Sequence, residues 1–353
     1  MDLGRDVIMG HEFCAEIVEH GPETTRSAQG RDAGVLAVPC SCAPTGPQSI
    51  GYSNDNPGGY GEYMRLSEAL LLEVPNGLST EHAALTEPMA VGVHAVAKAR
   101  LEPDDAPLVI GCGPVGLAVI AALRLRGVRP IVAAGLLAAG AGSWRWPSAP
   151  TVVIDPAHGT PWTSWREAAV YRDASRAPVL PPWIAGPAVR PAVVFECVGV
   201  PGVLDELMAA SPRGTRIVVV GVCMEPDTIH PMLGISKELN LQFVLAYTPE
   251  EFAATLRHLA EGEISASPFI TGKSASTAWP RPSPTSPRPS ATRRSSSARR
   301  SLDRSERARL PSVSAVQSRP GSTGRVRHRE SLRRDRRSGP LRVRAAAGLR
   351  FRA

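Results

Sequence analysis

The sequence predicts an α/β protein in which a β-rich N-terminal part precedes a doubly wound parallel sheet and a disordered C-terminal tail. The first observation is a glycine-rich turn at residues 111–116 (Gly-Cys-Gly-Pro-Val-Gly), between a short apolar strand and a predicted helix. The second is a series of near-continuous apolar strands, the pattern of a parallel sheet covered on both faces. The third is an abrupt change of composition at residue 274.

The N-terminal part shows short strand signals separated by glycine- and proline-rich turns. Strands are predicted at residues 13–19, 34–39 and 58–64, the last of them entered through glycine turns. Residues 40–57 contain many Pro, Gly, Ser and Asn residues, a composition that predicts a loop. A helix predicted at residues 88–99, with proline in its first turn, would carry the chain into the second part.

Strand and helix signals alternate through the second part. The strand at residues 108–110 and the helix at residues 117–126 give the glycine turn the context that a dinucleotide-binding fingerprint needs. The glycines permit a tight turn, the approach of a pyrophosphate and close helix packing, while the helix N-terminus faces the phosphates. Further strands are predicted at residues 130–134, 151–154, 192–195, 217–220 and 242–245, and a final helix at residues 250–259.

Two segments interrupt this alternation. Residues 135–150 hold no acidic residue, although an acid that binds the adenosine ribose is expected about 20 residues after the glycines, where Gly135 stands. The choice between NAD and NADP therefore stays open. Residues 156–191 are rich in Pro and Trp, and they predict a long excursion between the third and fourth strands.

The tail from residue 274 consists mainly of Ser, Arg, Pro and Ala and is predicted to be disordered. It holds 21 Arg, no Lys and four acidic residues, a formal charge of +17, and because the whole chain carries +7 the preceding body carries −10. Three interpretations stay open: a solvated extension, out-of-frame translation that would also explain residues 135–150, and a nucleic-acid-binding arm. The tail shows no aromatic interleaving and no nucleic-acid-binding motif, and an acidic body gives no reason to expect nucleic acid there. We therefore expect no nucleic-acid partner.

Cellular location is indicated by the cysteines and by the N-terminus. The six cysteines lie mostly in apolar runs without the spacing of a disulfide framework, which favours free thiols in a reducing compartment. The N-terminus has no basic and apolar regions of a signal peptide, and no run reaches the length of a membrane span. We therefore expect a cytoplasmic protein without a membrane partner.

Three residues are candidates for a metal site. His11 and Glu12 open the first predicted strand, and an imidazole beside a carboxylate suits zinc, although a hydrogen-bonded structural histidine gives the same pattern. Glu87 stands at the start of a predicted helix, where the dipole favours a carboxylate whatever its role. Cys40 and Cys42 have the wrong spacing for a zinc knuckle and indicate a loop pair.

Taken together, these motifs resemble the medium-chain zinc-dependent alcohol and polyol dehydrogenases over about residues 7–273. The resemblance rests on five motifs: residues 10–12 (Gly-His-Glu), 58–63 (Gly-Gly-Tyr-Gly-Glu-Tyr), 87–95 (Glu-Pro-Met-Ala-Val-Gly-Val-His-Ala), 111–116 and 196–199 (Glu-Cys-Val-Gly). It implies a truncated GroES-like β domain followed by a Rossmann doubly wound parallel sheet. The implied boundaries are residues 1–87 for the partial GroES-like domain, 88–250 for the Rossmann domain, 251–273 for a return segment and 274–353 for the disordered tail.

The resemblance also implies roles for individual residues. His11 and Glu12 would be catalytic and, together with Glu87, would bind one zinc ion that lowers the pKa of a bound alcohol while hydride passes to the nicotinamide. The substrate would be a small alcohol or polyol, and the assembly a homo-oligomer. The residues implied to bind NAD or NADP are Gly111, Gly113, Pro114, Val115, Gly116, Cys197, Val198, Gly199 and Gly221.

The chain also departs from that family. The upstream cysteine ligand, the Ser or Thr that follows it and the four-cysteine structural zinc lobe have no counterparts, so no structural zinc is expected. An oxygen-rich ligand set without thiolate binds zinc more weakly, and the arginine tail stands where a C-terminal return to the catalytic domain is expected. We therefore expect a chain that is N-terminally truncated and poorly active or inactive.

Two alternatives carry different functions. One is a zinc-free NADPH-dependent quinone reductase of the same architecture. The Gly-His-Glu motif and Glu87 argue against it, and metal analysis would distinguish it from a zinc-dependent dehydrogenase. The other is an inactive Rossmann scaffold whose arginine tail contacts nucleic acid, which would show steeply salt-dependent DNA retention.

Overall fold

Two main sheets organise the residues that the computed structural model describes, which are 8–21, 35–37, 40–43, 46–135, 152–155, 159–181, 186–273, 340–345 and 349–351. The strands are β1 (Ala15–Glu19), β2 (Val35–Ala37), β3 (Cys40–Ala43), β4 (Gly46–Ser49), β5 (Tyr63–Ser67), β6 (Leu71–Glu73), β7 (Ala106–Ile110), β8 (Val132–Ala134), β9 (Val152–Ile154), β10 (Ala192–Glu196), β11 (Arg216–Val219), β12 (Asn240–Phe243), β13 (Ile270–Lys273), β14 (Pro340–Ala345) and β15 (Leu349–Phe351). The helices are α1 (Thr80–Ala83), α2 (Thr86–Lys98), α3 (Pro114–Leu125), α4 (Pro161–Ala168), α5 (Val203–Ala210), α6 (Pro231–Lys237) and α7 (Pro249–Ala260).

The larger sheet is parallel and six-stranded, in the order β9-β8-β7-β10-β11-β12. Counted along the chain, this order is 3-2-1-4-5-6, the doubly wound arrangement whose crevice opens where the strand order reverses. The reversal lies between β7 and β10, and every residue of β10 is buried. The prediction of a parallel sheet covered on both faces is confirmed.

The elements around this sheet largely follow the sequence-based prediction. The helix predicted at residues 88–99 is α2, which begins two residues earlier at Thr86. Residues 156–191 were predicted to form a long excursion between the third and fourth strands, and within it the structure has α4, which that prediction did not include. Its Trp165 is fully buried and donates from Nε1 to the carbonyl oxygen of Ala106 at 2.8 Å, so this segment packs on the sheet. Residues 136–151 lie outside the described residues.

The smaller main sheet is antiparallel, in the order β5-β14-β1-β2-β6. It corrects the expectation that the whole tail from residue 274 is disordered and that nothing returns to the catalytic domain. Strand β14 lies between β1 and β5, and β15 pairs with β13. The register sets Val343 opposite Ile17 and Arg344 opposite Glu16, so apolar and oppositely charged positions alternate along the pair with the two-residue period of a strand.

A second correction concerns residues 40–57, which were predicted to form a loop. Strands β3 and β4 pair as a short antiparallel hairpin at the start of this segment. Turns follow from Ile50 onward, with the Gly51 N–H bonded to the Asn56 carbonyl oxygen at 3.0 Å. Among the described residues, no helix is long and apolar enough to cross a bilayer.

Candidate functional site

The backbone before His11 is held by glycines that approach one another closely. Gly58 donates its N–H to the carbonyl oxygen of Ile8 at 2.8 Å, and Gly59 donates to that of Gly10 at 2.9 Å. Gly10 has a φ of +102°, a conformation that L side chains rarely adopt, and a Cβ on Gly58 would lie 2.2 Å from the Gly10 oxygen. The glycines of the two motifs therefore set the direction in which the chain enters His11.

Helix α2 carries Glu87 in its first turn. Gly92, one and a half turns further on, lets this helix pack directly on α3, because a Cβ there would lie 2.4 Å from the carbonyl carbon of Ala118. This close packing fixes the start of α2 relative to the helix that follows the glycine turn. Glu87 is left 8% exposed at the N-terminal end of a helix whose interior face is apolar.

The structure brings His11, Glu12 and Glu87 together. One ligand atom from each lies within 4.8 Å of the other two, and His11 Nε2 is 3.6 Å from Glu87 Oε1. Nitrogen from imidazole and oxygen from carboxylate are ordinary zinc ligands, and a catalytic zinc site takes three protein ligands and keeps one position open. The chemistry of this donor set therefore fits a zinc ion.

Burial shapes the protonation of all three groups. It lowers the pKa of His11, which favours the neutral imidazole that a metal requires. It raises the pKa of Glu12, and burial together with repulsion from Glu12 raises the pKa of Glu87 to about 8. Burial makes it costly for both carboxyl groups to ionise beside a neutral imidazole. A bound cation would offset that cost.

We expect the metal-free protein to become less stable as pH rises from about 4.5 to about 8. Because the pKa of Glu87 rises from 4.5 to about 8 on folding, the folded state keeps a proton that the unfolded state releases in this window. The free energy of unfolding then falls with rising pH, by up to a few kcal/mol. Urea denaturation with a chelator at about pH 5.5 and about pH 8 measures this change.

The matched variant for that measurement is Glu87→Gln, which removes the titrating group but keeps its shape. The difference between wild type and variant isolates Glu87 from His11 and Glu12, which also titrate in or near the window. Identical pH dependence in the two proteins would contradict the raised pKa of Glu87.

Two tyrosines beside this cluster were not identified from the sequence. The Tyr247 hydroxyl donates to Glu87 Oε1 at 3.1 Å, from the segment between β12 and α7. The ring of Tyr52 lies 4.9 Å from that of His11, tilted by 43°. A signal for Tyr247 exists in the sequence, because it follows a strand of the parallel sheet, and carboxyl ends of such strands meet at the ligand-binding edge.

The glycine turn after β7 has the geometry of a phosphate cradle. Gly111 has a φ of +98°, and a Cβ on Gly116 would lie 1.9 Å from the Gly111 oxygen, so the helix starts tightly against the strand. A Cβ on Gly113, the N-cap of α3, would meet no atom of the described residues within 4 Å. Pro114 and Val115 begin the first turn of α3, and the backbone N–H groups of a first turn, which Pro114 itself lacks, have no partner inside the helix.

The loop after β10 lies beside this turn, at the reversal of strand order. A Cβ on Gly111 would be 2.9 Å from the Cys197 carbonyl carbon and 3.0 Å from a methyl group of Val198. The buried Glu196 carboxylate accepts hydrogen bonds from the N–H groups of Val198, at 2.7 Å, and Gly199, at 2.8 Å.

Gly221, after β11, extends the same edge. A Cβ on this residue would lie 2.4 Å from the Gly199 nitrogen. All the residues that the sequence proposed for cofactor binding thus lie on consecutive loops at one edge of the sheet, which is the geometry that a dinucleotide needs.

Gly135, where the acid that binds the adenosine ribose is expected, lies within the described residues. Gly135 follows β8, and a Cβ there would lie 2.7 Å from the Cys112 nitrogen and 2.9 Å from its sulfur. A side chain at this position would therefore collide with the glycine turn. Burial raises the pKa of the Cys112 thiol to about 11, which keeps it protonated and unreactive.

Comparison with known proteins adds to this geometry. The model of the alcohol dehydrogenase GroES-like domain matches residues 2–76. (R,R)-butanediol dehydrogenase of Bacillus subtilis is 30% identical over 273 residues, which are 76% of this chain and 73% of that protein.

Solved structures with the same architecture extend the comparison. The crystal structure of 2R,3R-butanediol dehydrogenase from Bacillus subtilis superposes with a TM-score of 0.59 at 28% identity, covering 75% of this chain and 72% of the other. A provisionally named zinc-binding dehydrogenase from Sinorhizobium meliloti 1021, solved with NADP bound, gives a TM-score of 0.60 at 22% identity, covering 75% and 76%. At that identity the second likeness concerns the fold.

Proposed function

The chain belongs to the medium-chain zinc-dependent alcohol and polyol dehydrogenases, and from that premise we propose that it oxidises a small alcohol or polyol with NAD or NADP at one zinc ion bound by His11, Glu12 and Glu87. Enzymes of this family transfer hydride between a CH–OH group and a nicotinamide. The single observation that carries the assignment of the site is the convergence of the three ligand atoms within 4.8 Å.

Each ligand has a separate task in this proposal. His11 supplies neutral nitrogen, while Glu12 and Glu87 supply negative charge that their burial makes costly in the absence of a cation. When bound, the zinc ion would act as a Lewis acid toward the alcohol oxygen and the nicotinamide would accept the hydride. Placing Glu87 deep in the structure also keeps water away from one side of the site.

The dinucleotide fits the loops at the carboxyl ends of the parallel strands. The space next to Gly113 would take the pyrophosphate, because no atom of the described residues lies within 4 Å of a Cβ placed there and the N–H groups of a helix N-terminus favour an anion. Cys197, Val198 and Gly199 would line the path of the cofactor beyond the turn. Glu196 orients two of the backbone N–H groups of that loop.

The test combines metal analysis with a cofactor assay. We expect purified protein to contain about one zinc per chain and to reduce NAD or NADP with a panel of vicinal diols and polyols, an activity that a chelator removes and zinc restores. The panel follows from the diol named for the Bacillus relative. Chelator-resistant reduction of quinones by NADPH would favour the zinc-free alternative. The same assay measures whether activity is as weak as the sequence predicts.

The proposal includes only one zinc ion, a cytoplasmic location and no nucleic-acid partner. Cys14, Cys112, Cys197 and Cys223 are free thiols, which supports a reducing compartment. The net charge of −10 in the body gives nucleic acid no basic surface to bind there.

We also propose a homodimer that forms through β12, the edge strand of the parallel sheet. Strand β12 is the last strand of that sheet and pairs with β11 on one side only, among the described residues. Large apolar side chains stand exposed on it and beside it: Phe243, Leu245, Met232, Ile235 and Val222. An uncovered apolar edge is a liability for a monomer, and a second copy related by a two-fold axis would extend the sheet and cover it.

We expect Phe243→Lys to convert the dimer into a monomer in sedimentation velocity, because a charge on the edge strand opposes its pairing with a second copy. Val179→Lys is the matched control, since Val179 is 98% exposed and belongs to the segment between α4 and β10 rather than to the edge strand. A wild-type monomer, or a dimer that survives the substitution, would contradict this interface.

A further inference from the structure

The side chain of Tyr247 reaches a candidate metal ligand from the other half of the molecule. Its hydroxyl donates to Glu87 Oε1 at 3.1 Å, across 160 positions of sequence. Glu87 lies in the first turn of α2, whereas Tyr247 lies four residues after the end of β12, a strand of the sheet that would hold the cofactor. The hydrogen bond is thus a direct polar link between that sheet and the three-residue cluster.

The start of α7 holds Tyr247 in place. Thr248 and Glu251 form a capping box, with Thr248 N–H bonded to Glu251 Oε2 at 2.8 Å and Glu251 N–H bonded to Thr248 Oγ1 at 3.2 Å. Tyr247 precedes the cap and packs its ring on Phe252, the fourth residue of the helix, at 5.1 Å between centroids. This pair has the spacing of a hydrophobic staple, which fixes the direction in which the chain enters a helix.

A second contact joins α7 to α2 directly. His94 Nδ1 lies 2.7 Å from Glu251 Oε2, the same oxygen that caps α7. His94 is on the same helix as Glu87, about two turns further along. The backbone positions of Tyr247 and Glu87 are therefore fixed relative to each other, so the phenol can hold one orientation of the carboxylate.

On the basis of the proposed zinc site, we infer that Tyr247 is a positioning residue, which holds the Glu87 carboxylate in the orientation needed to bind the metal. The group is not a ligand and does not touch the substrate in this role. It is needed here because a cluster of one imidazole and two carboxylates lacks a thiolate, so its affinity depends strongly on the charge and direction of each oxygen. Partners that hydrogen-bond to metal ligands typically change metal affinity about 10- to 100-fold.

The experiment uses Tyr247→Phe, which keeps the ring on Phe252 and removes only the hydroxyl. Zinc affinity of the full chain is measured by competition with a chromogenic chelator, and cobalt is then substituted to record its visible absorption bands. We expect zinc to bind about 10- to 100-fold more weakly and the cobalt bands to shift. Tyr171→Phe, which removes a phenol hydroxyl elsewhere, is the control and should bind zinc as the wild type does.

The outcomes separate this inference from the proposed function. Zinc binding by Tyr247→Phe within twofold of wild type, with an unchanged cobalt spectrum, would overturn the role of Tyr247 and leave the zinc site standing. Absence of zinc binding in wild type would overturn both. The urea midpoint of the metal-free variant should match that of wild type, and if it does not, a shifted cobalt spectrum in the folded fraction still decides for the role and an unchanged one against it.

Discussion

We expect His11→Ala to lower zinc affinity by about 100-fold or more and to remove zinc-dependent alcohol oxidation. The structural zinc sites of small domains are worth about 10–16 kcal/mol with four ligands, so one ligand contributes about 3 kcal/mol, or roughly a 100-fold change in affinity. The loss is expected to be at least this large here, because His11 is the one nitrogen in the cluster and the remaining carboxylates of Glu12 and Glu87 would face each other.

Equilibrium dialysis against buffered zinc, followed by metal analysis of the protein, measures this loss. His230→Ala is the matched control, since His230 is an exposed residue at the start of α6 and pairs with Asp205 at 2.8 Å. If His11→Ala kept wild-type zinc content and activity, the metal would have to bind elsewhere and the assignment of the cluster would fail.

The parallel sheet could be predicted because its signals are local. The strand, glycine turn and helix around residues 111–116 are consecutive, and the apolar strands such as β10 are buried on both faces, so each is recognisable without knowledge of its neighbours. Boundaries moved by one to three residues, as at α2 and at α3, which begins at Pro114 rather than Leu117. Helices α4, α5 and α6 were not predicted, and for α4 the reason is that its buried Trp165 lies in a proline-rich segment.

The antiparallel sheet was predicted less completely, for a different reason. Strand β14 pairs with β1 and β5, which precede it by more than 270 residues, and nothing in its own six residues specifies those partners. Its alternation of apolar residues with Arg342 and Arg344 is a strand signal, but it lies within an arginine-rich composition typical of disorder.

The candidate site shows the same division between local and distant information. His11 and Glu12 are adjacent in sequence, whereas their convergence with Glu87 follows from the glycine contacts before His11 and from the packing of α2 on α3. Tyr247 escaped notice because its local pattern marks the start of a helix, a structural role, while its partner Glu87 is 160 positions away. Sequence motifs identified the candidate ligands, and only the fold shows which side chains lie against them.

We expect two glycines of the turn after β7 to respond differently to alanine. A Cβ on Gly113 meets no atom within 4 Å in the part of the chain that the structure describes, and its φ of −73° and ψ of −174° suit any residue. Gly113→Ala should therefore change the free energy of unfolding by no more than about 0.5 kcal/mol. The added methyl group would nevertheless occupy the space proposed for the pyrophosphate. Affinity for NADH or NADPH, measured by fluorescence titration, should fall by about 10-fold or more.

Gly116→Ala should damage the fold itself. Its Cβ would lie 1.9 Å from the Gly111 oxygen, so α3 must move away from β7, at an expected cost of about 1–3 kcal/mol of stability in urea denaturation together with loss of cofactor binding. Gly272→Ala is the control, because a Cβ there meets no described atom within 4 Å and its φ is not among the positive ones. Wild-type cofactor affinity in Gly113→Ala would show that the pyrophosphate does not lie at this turn, since a methyl group in the phosphate site would weaken cofactor binding.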